Sequence, residues 1–181
     1  MRGLILVASG FSLSLAAGWL VVPNWSYRKA PQPLEFSHAV HTGGDNKMAC
    51  QDCHGIQDDG KFAGLPVLSG CATCHTAPMG KTKDEAVFVK DYVTPGREPK
   101  WMVASRQPDN AWFPHAAHVK RGKLACETCH GAVGKSQALP LVQVNRISGY
   151  SRTVMTRMRM DDCVACHKKH NLSHSCLDCH R

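Results

Sequence analysis

FSHAVHTGGDNKMACQDCHG at residues 36–55 and FPHAAHVKRGKLACETCHG at residues 113–131 are two copies of one pattern. Each sets a Phe and two histidines three residues apart ahead of Cys-x-x-Cys-His. The second copy is one residue shorter between Phe and Cys, where the first carries Gly43-Gly44. On a turn or helix, a three-residue spacing puts both side chains on one face. His38 and His41, and again His115 and His118, can therefore reach two neighbouring centres, one on each side.

The same ending recurs outside the repeat. All ten cysteines fall into five pairs, each followed at once by His: Cys50, Cys53 and His54; Cys71, Cys74 and His75; Cys126, Cys129 and His130; Cys163, Cys166 and His167; Cys176, Cys179 and His180. C-x-x-C-H is the attachment signal for c-type haem. Two thiols add across the two vinyl groups of one porphyrin edge, and the adjacent His binds the iron from the proximal side. Structural zinc takes such pairs two at a time, and five is odd. A thioredoxin-like redox site needs one pair on a βαβ scaffold. Disulfides require no following His. The expected cofactor is haem c, five groups covalently attached.

Six histidines remain: His38, His41, His115, His118, His170 and His174. Five haems ligated by two histidines each need five of them as distal metal ligands. His170 and His174 compete, since both lie in the eight residues between His167 and Cys176. Methionine is the other common distal ligand and raises the potential. Because the histidines suffice, Met48, Met79, Met102, Met155, Met158 and Met160 are read as packing or haem-edge contacts.

Composition agrees with a cofactor-filled interior. Five Phe, four Trp and three Tyr make a thin core for 181 residues. The formal charge of +8 omits two propionates per haem. With five haems it becomes about +3 oxidised and about −2 reduced. Nucleic acid is not the implied partner, and no aromatic–basic interleaving is present. Arg152, Arg157 and Arg159 either pair with propionates, face a partner or are solvated. No alternation is strong enough to predict a sheet. The expected fold is mainly α and irregular: short helices and loops, with haems as the core.

Residues 3–22 carry no charge. At about 1.5 Å per residue this run spans roughly 30 Å, the thickness of a bilayer core, with Trp19 and Trp25 where interfacial aromatics belong. It exceeds the 7–15 apolar residues or so of a cleaved signal peptide, so an uncleaved transmembrane helix is expected. Arg2 stays cytoplasmic by the positive-inside rule, which places the rest in the periplasm. The expected organisation is a membrane anchor (1–25), a Pro-containing tether (26–35), a two-haem module (36–80), a connecting helix and loop (81–112) and a three-haem module (113–181). Lys81 to Val93 is predicted helical, with Ala86, Val87 and Val89 inward, ended by Pro95-Gly96.

Repeated F-x-H-x-x-H before C-x-x-C-H, followed by closely spaced motifs, resembles the class III cytochromes of c3 and c7 type over roughly residues 36–180. AGLPVLSGCATCH at 63–75, KDYVTPGREPKW at 90–101 and FPHAAHV at 113–119 are similar to the multihaem cytochrome subunits of two related complexes, the menaquinone reductase complex Qrc and alternative complex III. The resemblance implies an electron-transfer subunit, with no catalytic residues of its own, on the inner membrane. Its implied neighbours are an iron–sulfur subunit related to molybdoenzymes and quinone-binding membrane subunits. In the Qrc case a soluble periplasmic cytochrome c3 is the electron donor and menaquinone is reduced. In alternative complex III the flow is from quinol to an acceptor cytochrome. The histidine supply favours low-potential haems and hence Qrc. The Qrc subunit is associated with six haems, so a sixth would sit here without thioether attachment. The competing functions are a quinol dehydrogenase of the NapC/NrfH type, a free-standing carrier and a multihaem reductase, the last needing an open distal site.

Overall fold

The computed structural model describes residues 2–104, 107, 110–149, 151–152 and 158–180. Arg157 and Met155 lie outside these, as does the side chain of Arg152. One long helix opens the chain, Arg2–Trp25, with a mean hydropathy of 2.0 and none of its apolar window buried. A π-helical turn interrupts it at Ala17–Val21. Leu4, Phe11, Trp19 and Leu20 all project freely. By length and composition this helix is a candidate membrane span, although a signal sequence would pass the same test.

The remaining helices are short and sit beside the motifs. His38–Thr42 starts at Ser37, whose hydroxyl accepts the Val40 N–H. Cys50–Cys53, Leu68–Ala72, Glu127–His130 and Cys176–Cys179 are single turns carrying motif cysteines. Ala116–Arg121 is π-helical. Met160–Lys169 is longest among them, with Asp161 and Asp162 in its first turn and Lys168 and Lys169 in its last, as the helix dipole favours.

Two expectations need correction. A sheet is present: β1 (Tyr27–Ala30), β2 (Val142–Asn145) and β3 (Ser151–Arg152) form an antiparallel set in that order. Tyr27 pairs with Asn145 and Ala30 with Val142. Strands of four, four and two residues are too short for a period of two to be diagnostic, and the pairing of β1 with β2 joins segments more than a hundred positions apart. The first part of the expected tether is thus a strand, and Leu34 within it is buried. Secondly, the expected helix appears as Lys83–Phe88 continued by a π-helical Val89–Val93, but its inner face is different. Val89 is buried, while Ala86 and Val87 face out and Glu85 and Phe88 turn inward.

The polypeptide core is thin. Among the described residues the buried apolar side chains are Ala30, Leu34, Leu68, Val89, Pro99 and Val142, and only Val142 is wholly enclosed. Val142 therefore closes the contact between β1, which follows the apolar helix, and β2, where it pairs with Ala30. Replacing it with Asp places an unpartnered carboxyl in that seam. Val142→Asp is expected to expose residues 27–30 to limited proteolysis and lower the melting temperature, both read on the full-length chain.

Candidate functional site

No disulfide joins any of the ten cysteines. Burial pushes the Cys50, Cys53, Cys71, Cys129 and Cys163 thiols up from their ordinary value. A reactive C-x-x-C redox centre needs the opposite shift. Neighbouring thiols raise them further, and these neighbours show which motifs abut. After burial, the next cause is Cys53 for Cys71, Cys126 for Cys50, Cys166 for Cys129 and Cys179 for Cys163. Motif 71–75 thus neighbours 50–54, 50–54 neighbours 126–130, 126–130 neighbours 163–167 and 163–167 neighbours 176–180. Chain order is kept except that the first two are exchanged.

The histidines come in facing pairs. Ring centres lie 6.4 Å apart for His38 and His54, 6.2 Å for His41 and His75, 6.4 Å for His115 and His130, and 6.1 Å for His118 and His167. That is too far for stacking contact. With a metal–nitrogen bond of about 2.0–2.1 Å and about 1.1 Å from nitrogen to ring centre, two imidazoles sharing one metal from opposite sides stand about 6.3 Å apart. All four separations fit an iron between two axial histidines. Among the described residues no three His, Cys, Asp or Glu side chains converge as a bare-ion site would need.

The other ring nitrogen is engaged in most cases. Nδ1 meets the carbonyl of Ser37 for His41, Gly64 for His54, Lys61 for His115, Pro114 for His118, Ser173 for His167, Leu172 for His174 and Asn110 for His180. His38 meets the Ser136 hydroxyl at 3.2 Å and His75 the Glu85 carboxylate at 2.9 Å. A carbonyl accepts only, so Nδ1 carries the proton and Nε2 is left as the lone-pair donor a metal requires. Burial, followed by the facing ring (His54 for His38, His115 for His130), holds His38 and His130 below the usual histidine value. The neutral, ligating form is thereby favoured.

Phe36 and Phe113 explain the first letter of the repeated pattern. Each stacks on the second histidine of its pair, at 4.4 and 4.3 Å, and sets its edge against the first, at 5.1 and 5.0 Å. The second histidine also bonds back to the carbonyl four residues earlier, Ser37 or Pro114. One ring and one carbonyl thus aim two imidazoles at two different partners.

The two copies complete each other. His38, of the first copy, is held by Ser136, just beyond the second copy, and the Ala39 N–H donates to the Ser136 carbonyl. His115, of the second, is held by the Lys61 carbonyl, just beyond the first copy, and the Ala116 N–H donates to Gly60. The Cys50 thiol meets Cys126 across the same junction. It is the self-complementary contact of a two-fold dimer, made within one chain.

His170 and His174 stand apart. Among the described residues neither faces His180 or any other histidine ring in the manner of the four pairs. Met79 and Met160 are largely exposed. Sequence reasoning missed the groups that orient the imidazoles. Backbone carbonyls have no side-chain signature. Ser136 and Glu85 are ordinary residues until the fold brings them to a ring.

Residues 21–98 match the family model described as the class III cytochrome C family, and residues 111–181 the one described as cytochrome c7 and related cytochrome c. The chain is also similar to the menaquinone reductase, multihaem cytochrome c subunit, of Nitratidesulfovibrio vulgaris. The two are 38% identical over 187 residues, covering 95% of this chain and 87% of that protein.

The junction between the copies supplies a test that needs no functional assumption. Gly60 has φ +68°, and a Cβ there meets that of Ala116 at 3.0 Å. Gly60→Ala is expected to cost about 1 kcal/mol or more, seen as a lower melting temperature, whereas Gly55→Ala, in open space, leaves it nearly unchanged.

Proposed function

Because the chain belongs to the family of menaquinone reductase multihaem cytochrome c subunits, built of class III and c7 cytochrome sequence, we propose that it is the electron-transfer subunit of a Qrc-type menaquinone oxidoreductase complex. In this reading residues 1–25 span the inner membrane and the rest lies in the periplasm, in a two-haem module (36–80) and a three-haem module (113–181). The chain stands between a soluble periplasmic cytochrome c3 and an iron–sulfur subunit that serves the quinone-binding membrane subunits.

One observation carries the reading: four histidine pairs at a metal-sharing separation, set along a single row of attachment motifs. Haem c bound at each motif supplies a one-electron couple. The proposed attachment residues are the ten motif cysteines, and the proximal ligands are His54, His75, His130, His167 and His180. The proposed distal ligands are His38 opposite His54, His41 opposite His75, His115 opposite His130 and His118 opposite His167. His170 and His174 are left for the fifth distal position, or for a sixth haem without thioether attachment. A centre closed by two histidines has no open position for a small substrate, so this chain's residues hold and orient rather than catalyse. Ring nitrogens fixed through Nδ1 do not reorient when the metal changes charge, which keeps the cost of electron transfer low.

The complex is tested by a native gel of mildly solubilised membranes, stained for haem, with mass spectrometry of the band. Co-migration with iron–sulfur and polytopic quinone-binding subunits is expected. Migration alone overturns the reading in favour of a free-standing carrier. For the ligands, His38→Met and His115→Met are each expected to raise the potential of one haem while haem content stays the same. A redox titration with no shifted component overturns those two assignments.

A further inference from the structure

Among the described residues Glu85 is the one carboxylate paired with a histidine. Its Oε1 accepts from His75 Nδ1 at 2.9 Å and from the Met79 N–H at 2.7 Å, and its Oε2 accepts the Gly80 N–H at 2.6 Å. The side chain is only 12% exposed. The Thr82 hydroxyl caps the helix that carries it, accepting the Glu85 N–H. The approach is close enough that a Cβ at Gly80 would stand 2.7 Å from Oε2. Three donors therefore lock one carboxylate against one imidazole.

No other motif histidine is treated this way. His54, His167 and His180 donate to backbone carbonyls. A carbonyl is a neutral acceptor, whereas a carboxylate carries a full charge and takes the Nδ1 proton more strongly. Electron density is pushed through the ring to Nε2. At a metal bound there, that favours the more positive oxidation state.

We propose that Glu85 is a positioning residue that makes the haem site at Cys71, Cys74 and His75 the most reducing of the five. This rests on the reading that the C-x-x-C-H motifs hold haem. The site stands at one end of the facing pairs: His41, opposite His75, shares a turn with His38, opposite His54, and the first copy meets the second beyond that pair. Glu85 therefore gives the row a direction, with its lowest-potential member at one end.

The test uses the full-length haem-loaded chain in detergent, with an optical redox titration, low-temperature EPR and intact mass. Glu85→Gln is expected to move the lowest-potential component to more positive values and to shift one low-spin EPR signal, at an unchanged mass of five haems. Thr82→Ala, which removes the helix cap but leaves the carboxylate, is expected to leave that component in place. Should Glu85→Gln lose its haem, Glu85→Asp keeps the charge one methylene further back and is expected to move the component part of the way. The proposal is overturned if no component moves, if a component other than the lowest moves, or if Thr82→Ala moves it equally. A wild-type mass without covalent haem instead sinks the haem reading itself.

Discussion

An imidazole tethered through Nδ1 and free at Nε2 is the unit on which the described fold depends. It fixes ring orientation, and it fixes which nitrogen is basic. Eight histidines meet in four facing pairs, and six of them are oriented by acceptors of the right kind: Ser37, Pro114, Lys61, Gly64, Ser173 and Glu85. With so few apolar side chains buried, these tethers and the small sheet define much of the tertiary structure.

The two Phe-led copies show how a short pattern serves two centres at once. In each copy the leading histidine faces its own motif, His38 opposite His54 and His115 opposite His130. The trailing histidine faces the next motif along the chain, His41 opposite His75 and His118 opposite His167. That arrangement makes neighbouring centres share a helix turn and keeps them close. The junction between His54 and His130 is different in kind. It is built from reciprocal bonds between copies, so the row continues across it without a shared helix turn.

Much of this was legible in the sequence, for physical reasons that can be named. C-x-x-C-H and H-x-x-H are local patterns whose geometry follows from spacing alone, so the motif cysteines and the face shared by each histidine pair were readable. What was not readable is non-local. Strand β2 pairs with residues far away, and an alternation of only four residues, Val-Gln-Val-Asn, is too short to predict a sheet. Ala86 and Val87 were assigned inward by hydrophobicity, yet the helix turns Glu85 inward because His75 offers it a donor. The facing of His41 and His75 depends on a loop closing, and no spacing rule supplies that. His170 and His174 remained equivalent on sequence, and their placement away from the four pairs does not separate them.

The reciprocal bonds have a consequence for how such a chain matures. His38 is held by a residue 98 positions ahead of it, and His115 by one 54 positions behind. Contacts of that sequence separation form late and slowly, because loop closure must precede them. A chain emerging from its N-terminus has the first copy complete in sequence long before Ser136 arrives. Until then His38 lacks its brace, and the other copy can finish only against a first copy already in place. Local chemistry at each C-x-x-C-H can therefore proceed motif by motif, while the central junction sets only when both halves are present.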